Sequence, residues 1–255
     1  MKFKRVMFLL AMWVAGSPAA FCGAISISPA ALSLKGAPGR TITQEFDVSN
    51  STDVPYFVDV DVQDVVVKQG KRTFVSPERT PDSLAALVTL PRRRALVLPG
   101  EHLKVPVTFV APDESRNRAV VVFFHASREH AVPNQPKIRL NLGTVVDFTV
   151  SNEVILRVTS LGVEPQTSTS NVAITEELAN VGPEPAIARG VVAILSDKGD
   201  LVGKTEFQQK RLLPREHNQT RAEYPGALKS GRYRAICTIE FADSTLTRTV
   251  ELVIP

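Results

Sequence analysis

The sequence predicts an all-β protein made of two β-sandwiches in tandem. Short runs rich in Val, Ile and Thr recur along the chain, with apolar and polar residues alternating as they do in strands buried on one face. Turn residues separate these runs at intervals of about ten residues, which is typical of sandwiches. No amphipathic helical segment separates consecutive runs, so a parallel α/β sheet is not expected.

The run from 56 to 62 alternates most regularly. Its valines share one face, while Asp59 and Asp61 share the other, which predicts a strand half buried and half in water. Asp64 joins that acidic face only if the strand bulges, and a solvated face that resists aggregation is the favoured interpretation of all three aspartates. Gln69-Gly70 then predicts a turn, with 72–75 returning as a hairpin partner.

Three further segments of the first half have distinct patterns. The uninterrupted apolar run from 119 to 124 is typical of a central sandwich strand. The run from 103 to 109 alternates, but Pro106 lacks an amide proton and therefore predicts either an edge strand or a position where no amide hydrogen bond is needed. Ser83 to Leu87 is the one short segment with a weak helical tendency.

Residues 1–24 are predicted to be a cleavable signal peptide. Three basic residues precede an apolar run of about nine residues, and small residues follow up to Ala24. The apolar run is shorter than the roughly 20 residues that a membrane-spanning helix needs. A retained anchor and a lipid on Cys22 are the alternatives, and bulky Phe21 disfavours the second. We therefore expect export to the periplasm of a bacterial envelope, without membrane insertion of the mature chain.

The mature chain is close to neutral. Without the three basic residues of the leader, 27 Lys and Arg remain against 26 Asp and Glu, a net charge of +1. Arg92-Arg93-Arg94 is the only tight basic run and is explained by a solvated loop, so a nucleic-acid partner is not expected. Cys237 is the only cysteine after residue 24, and its alternating surroundings predict a small core side chain and not a reactive thiol.

The chain divides near Ser151-Asn152, into a first domain of residues 25–152 and a second of 153–255. Each has the length of one sandwich. A short internal repeat suggests related modules: Val97-Leu98-Pro99-Gly100-Glu101-His102 corresponds to Leu212-Leu213-Pro214-Arg215-Glu216-His217, and an Asn-to-Pro turn precedes each, starting at Asn50 and at Asn180. A chance similarity of short proline turns is the alternative.

Gly231 and Tyr233 stand at the start of a late strand of the second domain. This arrangement fits the tyrosine corner of immunoglobulin-like sandwiches, in which the hydroxyl group returns to a backbone group nearby. An ordinary strand tyrosine is the alternative. The fold class expected is therefore two immunoglobulin-like β-sandwiches after a signal peptide.

The sequence contains no recognisable catalytic motif. It has no His-Glu-x-x-His, no paired-cysteine knuckle, no Asp/Asn calcium loop, no Gly-x-Ser-x-Gly elbow and no glycine-rich phosphate loop. His125 and His130 are five residues apart, with Glu129 nearby, and His125 is interpreted as a polar strand-end residue, with metal ligation as the alternative. We expect a binding protein that is not an enzyme and that uses no metal or cofactor.

The first domain resembles the periplasmic pilus-assembly chaperones of the PapD-like family. The resemblance lies in the order of four segments across roughly residues 25 to 150: 49–58 with its Asn-to-Pro turn, Leu98-Pro99-Gly100-Glu101 before an alternating strand, Pro112-Asp113-Glu114-Ser115, and the apolar strand 119–124. The second domain matches only in being a plausible immunoglobulin-like sandwich.

The resemblance implies donor-strand complementation, in which the chaperone lends an edge strand to a pilus subunit that lacks its own last strand. The candidate segment is 137–142, in which Ile138, Leu140 and Leu142 share one face. It follows a loop with two prolines, as an edge strand might. The alternative is an ordinary strand whose apolar face completes its own core.

The family binds the C-terminal carboxylate of a subunit with two basic residues, and this chain departs from that pattern. One is expected in the first strand, where the chain has 28–33, and the other late in the last strand of the first domain, where it has 145–148. Neither segment contains Lys or Arg, although arginine is the natural bidentate partner of a carboxylate. Lys137 and Arg139 remain as possible anchors.

The expected function is a chaperone-like binder of pilus, fimbrial or other envelope subunits. The alternative is a structural or adhesion-associated envelope protein that uses the same domains as rigid spacers.

Overall fold

The computed structural model describes residues 24–113, 118–128, 139–164 and 172–254. Within these ranges the chain forms sixteen strands and two single 3₁₀ turns. The strands of the first half are β1 (Ile25–Ser28), β2 (Ala31–Lys35), β3 (Thr41–Asn50), β4 (Tyr56–Lys68), β5 (Lys71–Val75), β6 (Arg94–Val97), β7 (His102–Val110), β8 (Ala119–Arg128) and β9 (Arg139–Thr149), with 3₁₀ turns at Pro77–Arg79 and Ala85–Leu87. The strands of the second half are β10 (Leu156–Val163), β11 (Val172–Asn180), β12 (Ala186–Ser196), β13 (Leu201–Leu212), β14 (His217–Tyr224), β15 (Gly231–Phe241) and β16 (Ser244–Ile254).

The first sandwich packs a sheet of order β1-β3-β7 against a sheet of order β2-β9-β8-β4-β5, with β6 also pairing β4. Four fully buried phenylalanines join the two sheets: Phe46 lies 6.5 Å from Phe109 and 5.7 Å from Phe124, and Phe109 lies 5.8 Å from Phe148, measured between ring centroids. The chain changes sheets near Pro29, because β1 pairs antiparallel with β3 whereas β2 pairs parallel with β9.

The alternation expected for the first half is present in the structure. Val58, Val60 and Val62 of β4 are buried, and Asp61 on the opposite face is exposed. A turn at Gln69-Gly70 leads into β5, which pairs with β4 as a hairpin. β8 is a central strand between β9 and β4, and β7 with Pro106 lies at the edge of its sheet. The weak helical tendency near residue 85 corresponds to one 3₁₀ turn.

The interpretation of Asp64 as part of a solvated acidic face is wrong. β4 does not bulge there, so Asp64 faces inward with Val62 and is fully buried. Its carboxylate accepts hydrogen bonds from the amides of Leu84 (2.9 Å) and Ala85 (3.1 Å) and from the hydroxyl of Ser83 (2.5 Å). These donors lie at the start of the 3₁₀ turn. The Asp64 carboxylate therefore holds this turn against the sheet through three hydrogen bonds.

The second sandwich packs a sheet of order β10-β11-β14 against one of order β13-β12-β15-β16. Its core includes Ile174 and Leu178 from the first sheet and Ile194 and Ile239 from the second. Cys237 is fully buried in this core, as its alternating context predicted. The Tyr233 hydroxyl donates to the carbonyl of Lys229 at 2.8 Å, the local return expected of a tyrosine corner. The all-β, two-sandwich fold is confirmed.

The internal sequence repeat corresponds to the same hydrogen-bond network in both sandwiches. Asn50 donates its side-chain amide to the carbonyls of Val54 (2.8 Å) and Val97 (3.1 Å). Asn180 donates in the same way to Glu184 (2.8 Å) and Leu212 (3.1 Å). The two sandwiches thus use one turn design at the same place, and chance similarity does not explain it.

Candidate functional site

The candidate partner-binding segment, 137–142, overlaps the start of β9, which contains its residues 139–142. β8 pairs with β9 along 139–147, whereas β2 covers the opposite edge only from Val145 to Thr149. Among the described parts of the chain, no strand pairs with the outer edge of 139–144. In an extended strand every second amide and carbonyl points to such an edge, so this half of β9 presents backbone groups that another strand can pair with.

Leu140 and Leu142 point into the first sandwich at this open edge. They stand in register with Ala126 and Phe124 of β8, which are almost completely buried, yet both leucines are only partly buried. They pack against the core, as the ordinary-strand alternative requires, and they also keep exposed surface at the rim, as strand donation requires. Lys137 and Ile138 lie outside the described residues.

On the opposite face of this sheet, next to β9, lies an aromatic cluster of β8 and β5 that was not predicted from the sequence. Phe123 of β8 stacks on His125 at 5.7 Å and meets Phe74 edge-on at 5.4 Å. A Cβ atom at Gly143 would lie 3.0 Å from the Phe123 ring, so the glycine leaves room for that ring over β9. His125 is hydrogen-bonded to Asn141 at 2.8 Å. The available signal was the spacing of Phe123 and His125, which lie two residues apart and so share one face of the strand.

The two segments in which the family resemblance implies basic residues contain Ser33 and Asp147, and these two residues contact each other. They are direct partners in the parallel register of β2 and β9, and the Ser33 hydroxyl donates to Asp147 at 2.8 Å. Arg211, from β13 of the second sandwich, donates to both side chains. A guanidinium group therefore does stand between the two segments, but the other sandwich provides it and the buried Asp147 carboxylate neutralises it.

Further contacts join the sandwiches. Arg72 of β5 donates to the Glu216 carboxylate at 2.8 Å and to the Arg211 carbonyl at 2.5 Å. The His217 amide donates to the Gly70 carbonyl at 2.9 Å. Leu213 packs in an apolar cluster on the outer face of the first sandwich with Val65, Ala119 and Val121. Partly buried ion pairs and apolar contacts thus hold the two sandwiches together beside β9.

A basic pocket of about 640 Å³ lies at this junction, and it is lined on one side by Ala30, Ala31 and Val145 at the point where β2 begins to cover β9. Its lining includes the charged side chains of Lys71, Arg72, Lys210, Arg211 and Glu216. Arg72 and Arg211 are neutralised by Glu216 and Asp147, whereas Lys71 and Lys210 form no ion pair with any described residue. The pocket is therefore suited to an anion.

The buried thiol and the histidines form no reactive centre in the described structure. Burial, reinforced by the nearby Glu176 carboxylate, raises the pKa of the Cys237 thiol to about 12, so the thiolate is not formed near neutral pH. Across the described ranges, no three His, Cys, Asp or Glu side chains are grouped to hold a metal ion. His130 lies outside those ranges. Among the described residues no helix is long and apolar enough to cross a membrane.

The solved structures to which the chain is similar include those of fimbrial chaperones, as the sequence resemblance predicted. A class 5 fimbriae chaperone, CfaA, is 12% identical at a TM-score of 0.48, covering 91% of this chain and all of that one. The CupB2 chaperone of Pseudomonas aeruginosa is 13% identical at a TM-score of 0.39, covering 89% of this chain and 100% of that chain. A chain of the chaperone–tip adhesion subunit complex CsuC–CsuE of Acinetobacter baumannii is 10% identical at a TM-score of 0.41, covering 89% and 97%.

No protein-family model and no curated protein matches the chain. The similarities to solved structures concern the fold alone, which the chain's own strands define.

Proposed function

We propose that this protein is a chaperone of the bacterial envelope that binds a pilus, fimbrial or other envelope subunit through the first half of β9. The observation that carries the proposal is the outer edge of 139–144, which no strand of the described chain covers and which has half-buried Leu140 and Leu142 at its rim. A partner strand added there gains main-chain hydrogen bonds, and the leucines fill pockets in the partner.

The basic pocket gives the partner a second contact. A subunit strand lying along 139–144 ends beside Val145, where β2 takes over the edge, and Val145 also lines the pocket. The charges of Lys71 and Lys210, for which the described residues provide no ion-pair partner, suit a terminal carboxylate at that point. The second sandwich thereby supplies part of the anchor that the first strand lacks, and Arg139, exposed at the start of β9, remains a further candidate.

The site acts by binding, so we propose no catalytic role and no cofactor. The signal peptide predicted for residues 1–24 supports a periplasmic location.

A rigid spacer is the second candidate function, because buried ion pairs hold the two sandwiches in a fixed arrangement. A spacer needs that arrangement but has no use for a strand edge that no described strand covers, with half-buried leucines at its rim. The two functions therefore differ in whether the open edge of β9 is needed.

The test is a pull-down from periplasmic extract with identification of the bound proteins by mass spectrometry, using the wild type, Leu140→Glu and Asn141→Glu. Asn141 is the adjacent residue and points to the opposite face, so it controls for added charge. Wild type and Asn141→Glu should retain small envelope subunits, and Leu140→Glu should lose them. A wild type that retains no subunit, or a folded Leu140→Glu that retains as much as wild type, would overturn the proposal.

A further inference from the structure

Glu176 of β11 is a carboxylate enclosed in the core of the second sandwich. Its relative exposure is 0%, and neither carboxylate oxygen has a hydrogen-bond partner within the described structure. Buried carboxylates are normally paired or hydrogen-bonded, because an isolated buried charge is strongly unfavourable. The neighbouring core-facing positions along β11, Ile174 and Leu178, are apolar. Packing of the core therefore gives no reason for a carboxyl group at position 176.

The groups that face Glu176 come from both sheets. Its register partners on β10 and β14 are Leu161 and Thr220, and the Thr220 hydroxyl donates elsewhere, to the carbonyl of Gln208 at 2.7 Å. From the opposite sheet, Cys237 of β15 and Arg248 of β16 are the titratable groups that interact with it. β12 contributes apolar side chains to this core.

Arg248 is the one cation that acts on Glu176 among the described residues, and it is exposed. It lies on β16, which is an edge strand of its sheet and approaches β10, an edge strand of the other sheet. We call the side of the sandwich where these two strands meet the β10–β16 seam. Glu176 lies one strand inside this seam, because β11 pairs directly with β10.

We propose that Glu176 is a pH-sensitive switch of the second sandwich. While the carboxyl group is neutral it is tolerated as part of the core; once ionised, it is drawn towards Arg248 and loosens the β10–β16 seam. The inference is independent of the function proposed for β9, since it concerns the other sandwich.

The electrostatics agree with this geometry. Burial raises the pKa of Glu176 from 4.5 to about 7, and the exposed Arg248 opposes that shift only in part. A folded-state pKa above the unfolded value means that the stabilisation is fully present below pH 4.5 and is lost as the pH rises to about 7. The titration of Glu176 should therefore increase the equilibrium constant for unfolding on the order of 100-fold between pH 5 and pH 8.

The test compares the pH dependence of unfolding in wild type, Glu176→Gln, Glu176→Leu and Glu177→Gln. Glu177 is the adjacent carboxylate on the other face of β11 and serves as the matched control. We expect unfolding of wild type and Glu177→Gln to become easier from pH 5 to pH 8, and both Glu176 variants to lose that added pH dependence. If Glu176→Gln and Glu176→Leu keep the wild-type dependence, the proposal is wrong.

Amide hydrogen exchange distinguishes a switch at the seam from a general loss of stability. At pH 8 the amides of β10 and β16 should exchange faster in wild type than in Glu176→Gln, and at pH 5 the two proteins should match. Comparing variants at one pH cancels the intrinsic effect of pH on exchange. Equal exchange at pH 8, or a difference spread evenly over the second sandwich, would overturn the role of the seam.

Discussion

Asn50 and Asn180 occupy the same position in the two sandwiches, and each holds the strand that leads into a Leu-Pro turn. Both are almost completely buried, and each also accepts a backbone amide through its side-chain oxygen, from Thr52 and Gly182 respectively, at 3.0 Å. The glutamates of the following turns act alike: Glu101 accepts the Leu98 amide at 2.6 Å, and Glu216 accepts the Leu213 amide at 2.7 Å.

Replacing Asn180 with Ala should lower the free energy of unfolding by about 2–4 kcal/mol, because the Glu184 and Leu212 carbonyls then lose a buried donor. Asn50→Ala should cost a similar amount for the same reason. Chemical denaturation measures both. Asn218→Ala is the control, since no side-chain hydrogen bond of Asn218 contributes to this network, and its effect should stay within about 0.5 kcal/mol. If Asn50→Ala and Asn180→Ala lower the free energy of unfolding no more than Asn218→Ala does, the two asparagines do not stabilise the sandwiches in the way proposed.

The repeat also predicts a stabilising substitution. Arg215 has a φ of 67°, close to the 75° of Gly100 at the equivalent turn position. A non-glycine residue in this left-handed region is strained, so Arg215→Gly should raise the free energy of unfolding by about 1 kcal/mol. Arg232→Gly, in the exposed part of β15, should instead lower it by about 0.5–1 kcal/mol. Opposite signs in these two variants are the expected result; destabilisation by both would contradict the interpretation.

Arg211 should be essential to the joint between the sandwiches. Arg211→Met leaves the Asp147 carboxylate buried without its cation and should cost about 3–5 kcal/mol in thermal or chemical unfolding. Arg211→Met combined with Asp147→Asn should recover much of this loss, because the uncompensated charge is gone.

Arg189→Met is the control for that experiment, because Arg189 pairs with Glu240 at 3.9 Å on the exposed surface. It should change the free energy of unfolding by no more than about 1 kcal/mol. A double variant no more stable than Arg211→Met alone would show that the charge of Asp147 is not what Arg211 compensates.

The strands were predictable from the sequence because period-two alternation and turn residues are local signals. β4, β8 and the β4–β5 hairpin followed directly from the patterns at 56–75 and 119–124. Asp64 was misassigned because its partners, Ser83 and the amides after it, lie about twenty residues away. Regular alternation places Asp64 on the same face as Val62, and the error was to group it with Asp59 and Asp61 as one solvated acidic face.

The candidate site was only partly predictable for the same physical reason. The alternating leucines of β9 are a local pattern, whereas the free edge beside them depends on where β2 stops. The contact of Arg211 with Asp147 joins residues 64 positions apart in different sandwiches, and no spacing rule indicates such a contact. The unpartnered burial of Glu176 likewise depends on which strands enclose it.

Leu140→Glu should separate the two roles of this side chain. Because Leu140 is partly buried against the core, the charge should lower the melting temperature, while an unpaired carboxylate in a partner's apolar groove should cost several kcal/mol more in binding. The milder Leu140→Ala should keep the protein folded and weaken binding measurably. Unchanged binding in Leu140→Ala, with a lower melting temperature, would assign the side chain to the core alone.

Hydrogen exchange of the β9 amides in the complex recovered by pull-down tests the central claim most directly. Residues 145–149 are already paired with β2 in the free protein and provide an internal reference. Strand addition predicts that every second amide within 139–144 becomes protected on binding, by at least about tenfold, while 145–149 change little. If 139–144 exchange equally in the free and bound protein while another surface becomes protected, β9 is not the partner-binding strand.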